Sequence, residues 1–331
     1  MKNRALYYPY INVPKSAWIS QQLLYLDKLG SIVPSEYIYN PDKLSPYMRD
    51  LVSAELVEQI FPAQYIPYDT KFEENFIKLI KSKGYDKMGQ KSSSPQGYFK
   101  IHIEKFGDGL KDELKSFGLL NEIGYPWCFV EKNTATLLMT YVAAVIGMSE
   151  ELSMTPITDS SEYLGPYLTE QFPLLSNKNN ELIVLNKLIP VPENPIPVLE
   201  LSNFKEKYST LLSPFRDEIS SKIDQISLIT DKSTRDYEIK NFINKSEEKI
   251  EEITKRIEEQ KWGKVNLGTL SSLTASAIPV MDINEPSDLL KAIPGLIGAV
   301  YSVIQPIMKN RKRIKAEPLA YASYVRNGFF R

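Results

Sequence analysis

The sequence predicts a mixed α/β protein. An N-terminal α/β domain with a small, partly parallel sheet fills residues 1–189, and a mainly α-helical domain with a long helical hairpin follows. Three observations predict this. Before Ile189, short aromatic and β-branched runs alternate with amphipathic stretches of helix length. The segment PVPENPIP, residues 190–197, is too proline-dense for regular structure and marks a linker over 190–200. From Ser202 onward, apolar residues recur in steps of three and four.

The elements of the first domain follow in order. Ala5–Ile11 reads as a strand interrupted at Pro9. Ser16 caps a helix whose Trp18, Ile19, Leu23, Leu26 and Leu29 share a face, and Gly30 can end it. Ile32–Val33 or Tyr37–Tyr39 supplies the next strand, and the helix-length crossover favours parallel pairing. The spacing predicts helices over 46–60 and 71–83. Over 98–106, Phe99, Ile101 and Ile103 face one way, with Lys100, His102 and Glu104 on a solvated face. A helix over 110–119 and a strand over 127–130 come next. Residues 134–148 are apolar nearly all round; at 15 residues they read as a core helix rather than a membrane span. A last strand is expected over 182–189.

The helical domain, 201–331, divides into a hairpin over 202–262, a small-residue-rich apolar bundle over 265–308 and a basic C-terminal helix over 309–331. A kink or restart is expected at Pro214. In the second arm Ile239, Ile243, Ile250, Ile253 and Ile257 lie on one narrow seam of coiled-coil type, weakened by Ser246. That seam is either a surface for a partner helix or internal core. Glu317–Pro318 can start the last helix, with Leu319, Ala322 and Val325 docking it.

Charge and rare residues exclude several function classes. The formal net charge is −1, so no global field selects nucleic acid, which is not expected as a partner. Residues 309–331 hold seven basic residues and one acid, a net +6 that leaves −7 on the rest. Lys309, Arg311, Lys312, Arg313 and Lys315 are therefore candidate contacts for an anionic partner. One cysteine, Cys128, and one histidine, His102, rule out an internal disulfide, a His-rich metal site and a cysteine zinc site. No cofactor or metal is expected. The opening residues lack the apolar run of a signal peptide, so a cytoplasmic location is expected.

No motif identifies a reaction. His102 beside Glu104 has the composition of an oriented general base, but a lone histidine on a polar strand face is more commonly solvated. Glu104–Lys105 and Glu131–Lys132 are adjacent pairs whose members point to opposite sheet faces, which spoils a carboxylate-nuclease geometry. GKVNLGTLSS lacks the phosphate-loop spacing. The uncharged segments 265–281 and 292–308 are each 17 residues, at the short limit for a span. Ser, Thr and Asn in the first, and Pro294, Gly295, Gly298 and Pro306 in the second, favour burial within the protein; membrane contact is the less favoured reading.

Three stretches are similar to an uncharacterised bacterial family, a domain of unknown function found in mobile and accessory gene neighbourhoods. They are the opening ALYYPYINV…AWI…LLYLDKLGSIVP, the middle NFKEKYSTLLSPFRDEI and the C-terminal KNRKRIKAEPLAYASYV. The resemblance brings no catalytic residues. It implies a bacterial or phage-related origin and a link to phage defence.

The sequence thus leads to a non-enzymatic interaction or scaffold component of a bacterial accessory system, acting through protein partners or self-association. Two alternatives stand beside it: a membrane-active effector using 265–281 and 292–308, and an enzyme with a cleft in the N-terminal domain.

Overall fold

The computed structural model describes residues 3–66, 70–87, 97–160, 163, 184–185, 187–270 and 313–329, with 259–270 described as backbone. The chain divides into two compact units, Met1–Asn186 with Val191–Lys207, and Lys187–Pro190 with Tyr208–Arg331.

In chain order the first unit holds β1 (Arg4–Tyr7), α1 (Ala17–Tyr25), β2 (Lys28–Ile32), α2 (Ser35–Tyr39), α3 (Pro46–Ser53), β3 (Val57–Ile60) and α4 (Thr70–Ser82). It continues with β4 (Tyr98–His102), α5 (Asp108–Ser116), β5 (Leu120–Gly124), β6 (Trp127–Glu131), α6 (Lys132–Gly147) and β7 (Thr155–Ile157). One sheet is parallel, in the order β3-β2-β1-β7, with Ala5 opposite Leu29 on one side and Thr155 on the other. The other is antiparallel, in the order β4-β6-β5. The apolar helix α6 packs against β1 and β7 of the first sheet and β4 and β6 of the second. Contact with both sheets explains why nearly its whole circumference is buried.

Several elements differ from their predicted bounds, for local reasons. The first helix stops at Tyr25, and Leu29 and Gly30 lie in β2. Asn3 and Asp27 pin that turn: the Asn3 N–H donates to Asp27 Oδ2 at 2.7 Å, and the Asp27 N–H donates to the Asn3 carbonyl at 2.8 Å. Gly30 is not a helix stop. A Cβ there would meet Met154 Sδ at 2.8 Å, so its smallness serves packing on the sheet. Of the two candidates for the second strand, Ile32 ends β2 while Tyr37–Tyr39 is helical.

The predicted helix over 46–60 is α3 followed by β3. Its stop is Glu55, at φ 55°, where the Leu56 N–H reaches back to the Leu51 carbonyl at 3.0 Å. A non-glycine residue in that conformation leaves no sequence signal. The run over 98–106 is a strand only to His102; Ile103–Lys105 form a 3-10 turn. Val184, Leu185, Lys187 and Leu188 are helical, not the strand expected over 182–189.

The second unit is built on α7 (Val198–Ser227), α8 (Lys232–Leu270) and α9 (Ala320–Phe329). The break in α7 falls at Tyr208 (φ −114°, ψ 16°), not at Pro214, which stays inside the helix. Before the break, α7 belongs to the first unit, where Lys205 Nζ donates to the carbonyls of Leu23 (2.9 Å) and Leu26 at the end of α1. Asp231 starts α8 by accepting from the Thr234 N–H at 2.6 Å. Helix α9 packs on α8: Ser323 Oγ donates to the Ile250 carbonyl at 3.1 Å, and Ala322 and Val325 are fully buried. Tyr321 meets Phe215 of α7, with ring centroids 5.7 Å apart.

Candidate functional site

In an open parallel sheet, the chemically useful place lies beyond the carboxyl ends of the strands, where the strand order reverses. Here β2 and β3 extend to one side of β1 and β7 lies on the other, so the reversal falls between β1 and β7. Tyr7 Oη donates to Asp159 Oδ1 at 3.0 Å across that point, and Tyr8 Oη donates to the Tyr163 carbonyl at 3.3 Å. Burial, and then the Asp159 charge, push the Tyr7 hydroxyl far above its ordinary value; burial pushes Tyr8 up to about 12. Both phenols stay protonated and act as donors.

A second cluster adjoins this one through Pro9. Lys105 is 4% exposed, and its Nζ donates to the Pro9 carbonyl at 2.8 Å. Burial pushes its ammonium down to about 7. His102, 1% exposed, accepts the Glu104 N–H on Nδ1 at 3.3 Å. The proton of the neutral ring therefore sits on Nε2, 3.5 Å from Glu36 Oε1 but without a hydrogen bond. Burial pushes His102 down, outweighing the Glu104 and Glu36 charges that pull it up. Trp127 packs edge-on against the imidazole at 5.0 Å, and Lys100 Nζ lies 4.4 Å from the Trp127 ring centre.

His102 is therefore not on a solvated strand face, as its alternation with Lys100 predicts. The strand ends at His102, and Trp127 and Glu36 close around its ring. Both carboxylates of the adjacent Glu–Lys pairs are bound to helix starts. Glu104 accepts the N–H (2.7 Å) and hydroxyl (2.6 Å) of Ser35, the first residue of α2. Glu131 accepts the N–H groups of Asn133 (3.0 Å) and Thr134 (2.8 Å) at the start of α6. Among the described residues, no group of three His, Cys, Asp or Glu side chains could hold a metal ion. The Lys105 amine retains reactive character, and the His102 Nε2–H is left as a buried donor without a hydrogen bond. Sequence reasoning weighed Lys105 only as the partner of Glu104 in a metal-holding pair and passed over Glu36, because no local pattern signals a contact with a segment as distant as Pro9.

The seam residues divide. Ile250, Ile253 and Ile257 are 0%, 0% and 5% exposed beside α9, so these three of the five are internal core and not a surface for a partner. Ile239 and Ile243 are half-buried. In the basic cluster Arg313 and Lys315 are exposed, while Lys309, Arg311 and Lys312 lie outside the described residues. So does 271–308, which carries most of both uncharged segments; 265–270 continues α8 as backbone. Among the described residues, no helix is long and apolar enough to cross a membrane.

Fold and site define a mixed α/β protein with a braced parallel-sheet edge and long C-terminal helices. No family model, no curated protein and no solved structure matches the chain.

Proposed function

We propose that this is a non-enzymatic interaction protein of the cytoplasm, whose α7–α8 hairpin presents the docking surface. One observation carries the reading. Leu228 and Tyr237, flanking the hairpin turn, are 82% and 65% exposed. Large apolar side chains held out at and beside the turn between two long helices suit a protein partner or a second copy of the chain. The half-buried Ile239 and Ile243 extend the same arm. Its place in a bacterial accessory system rests on the family resemblance alone.

Light scattering of the full chain over a range of concentrations, with photo-crosslinking from position 237 in the host, tests this. Self-association or a defined crosslinked partner is expected, and Leu228→Asp with Tyr237→Asp should abolish it at unchanged stability. A monomer at every concentration that forms no crosslink removes the reading.

Lys105 favours a second reading, an enzyme acting at the strand ends. A buried amine titrating near neutrality is nucleophilic when neutral. Reductive trapping with small aldehydes tests it; a folded protein left unlabelled at Lys105 ends it.

A further inference from the structure

Independently of that reading, the second unit contains a groove of about 530 Å³ between α7 and α8, within the range of small-ligand sites. Phe242 of α8 and Leu319, from the turn ahead of α9, supply apolar lining. Three lysines border it: Lys222 on α7, and Lys245 and Lys249 on α8. Lys249 is already engaged, with Glu317 at 3.2 Å and Glu252 at 3.6 Å. Lys222 and Lys245 have no ion pair or hydrogen bond among the described residues. Glu218, one turn before Lys222, is the one acid among the lining residues. Two lysines from opposite helices, without an ion pair among the described residues, thus line one cavity beside apolar surface.

We infer that this groove binds a small amphipathic anion, a carboxylate, phosphate or sulfonate on an apolar body. The two lysines take the charged head as point charges, which suits a tetrahedral or planar oxyanion equally. Phe242 and Leu319 cover the apolar body. Glu218 sets the limit on charge, since a ligand with several negative groups would meet its carboxylate. Because Leu319 precedes α9, the lining is complete only with that helix docked, and a bound anion favours the docked form.

The probe is 1-anilinonaphthalene-8-sulfonate, titrated into the full chain and followed by fluorescence at low and high salt. Saturable binding that weakens with salt is expected. With both exposed ion pairs to the anionic head removed, Lys222→Gln with Lys245→Gln should weaken binding about tenfold. Neither lysine has an ion-pair partner among the described residues, so far-UV circular dichroism and the melting temperature should not change. Lys240→Gln, an exposed lysine of α8 that does not line the groove, should bind as the unaltered protein does. Absence of saturable binding, or equal affinity in the double variant, would overturn the assignment.

Discussion

Lys105 Nζ donates to the carbonyl of Pro9 at 2.8 Å, joining residues 96 positions apart. Through this bond the turn after β4 holds the end of β1, and the amine gives up solvent to do so. The consequence is a stability that depends on pH. Lys105 titrates near 7 in the folded chain and near 10.5 when unfolded. Between those values the unfolded state binds more protons, so stability rises with pH, by up to about 1.4 kcal/mol per unit. Urea unfolding at pH 7, 8 and 9 should show the rise, and Lys105→Met should flatten it. Equal slopes in the two proteins would mean the amine is solvated.

His102 is the only histidine, so its ring resonances need no assignment. Burial holds its folded pKa below the ordinary 6.5. Stability from the neutral ring is complete above that value and is lost as pH falls toward the folded pKa. Proton NMR should place the titration midpoint below 6.5. A midpoint above it would show Glu36 and Glu104 winning over burial.

Glu317 sits between Arg256, at 2.6 Å, and Lys249, at 3.2 Å. The Lys249 contact lacks hydrogen-bond alignment, since Glu317 Oε2 has no hydrogen-bond partner. Burial pushes the carboxyl up, but the two cations outweigh it and hold the net value low. The stability it adds is present above the unfolded value of 4.5 and is lost as pH falls. Glu317→Gln should cost about 2 kcal/mol at neutral pH. It should also speed proteolytic release of α9; unchanged cleavage would show that the apolar face of α9 suffices.

The two halves of the isoleucine seam should respond differently. Ile250→Asp places an unpaired charge in the core beside Ser323 and should cost about 4 kcal/mol or unfold the second unit. Ile243→Asp, at a half-buried position, should cost about 1 kcal/mol. Thermal melts of both variants decide it, and equal losses would place Ile243 in the same core.

Gly147 ends α6 where a Cβ would lie 2.4 Å from the Met154 carbonyl oxygen, itself the turn leading into β7. Backbone cannot yield as a side-chain tip can. Gly147→Ala should therefore cost about 1–3 kcal/mol, read from denaturant midpoints.

The sequence by itself determined the elements whose signal is local. The apolar circumference of 134–148, the Ser16 cap and the step of three and four through α7 each reside in a few neighbouring residues. It also determined what chemistry is absent, because a single histidine and a single cysteine limit any site. The tertiary structure decided the rest. Leu29 is equally apolar in a helix or a strand, and contact with β1 and β3 made it a strand residue. Glu55 stops a helix without the glycine that would announce it. His102 reads as a solvated polar residue until Glu36 and Trp127, distant in the chain, close around it, and nothing local marks Lys105 as the partner of the Pro9 carbonyl. Local propensity only biases backbone conformation, and burial depends on which distant segments arrive; burial in turn sets the protonation of these groups.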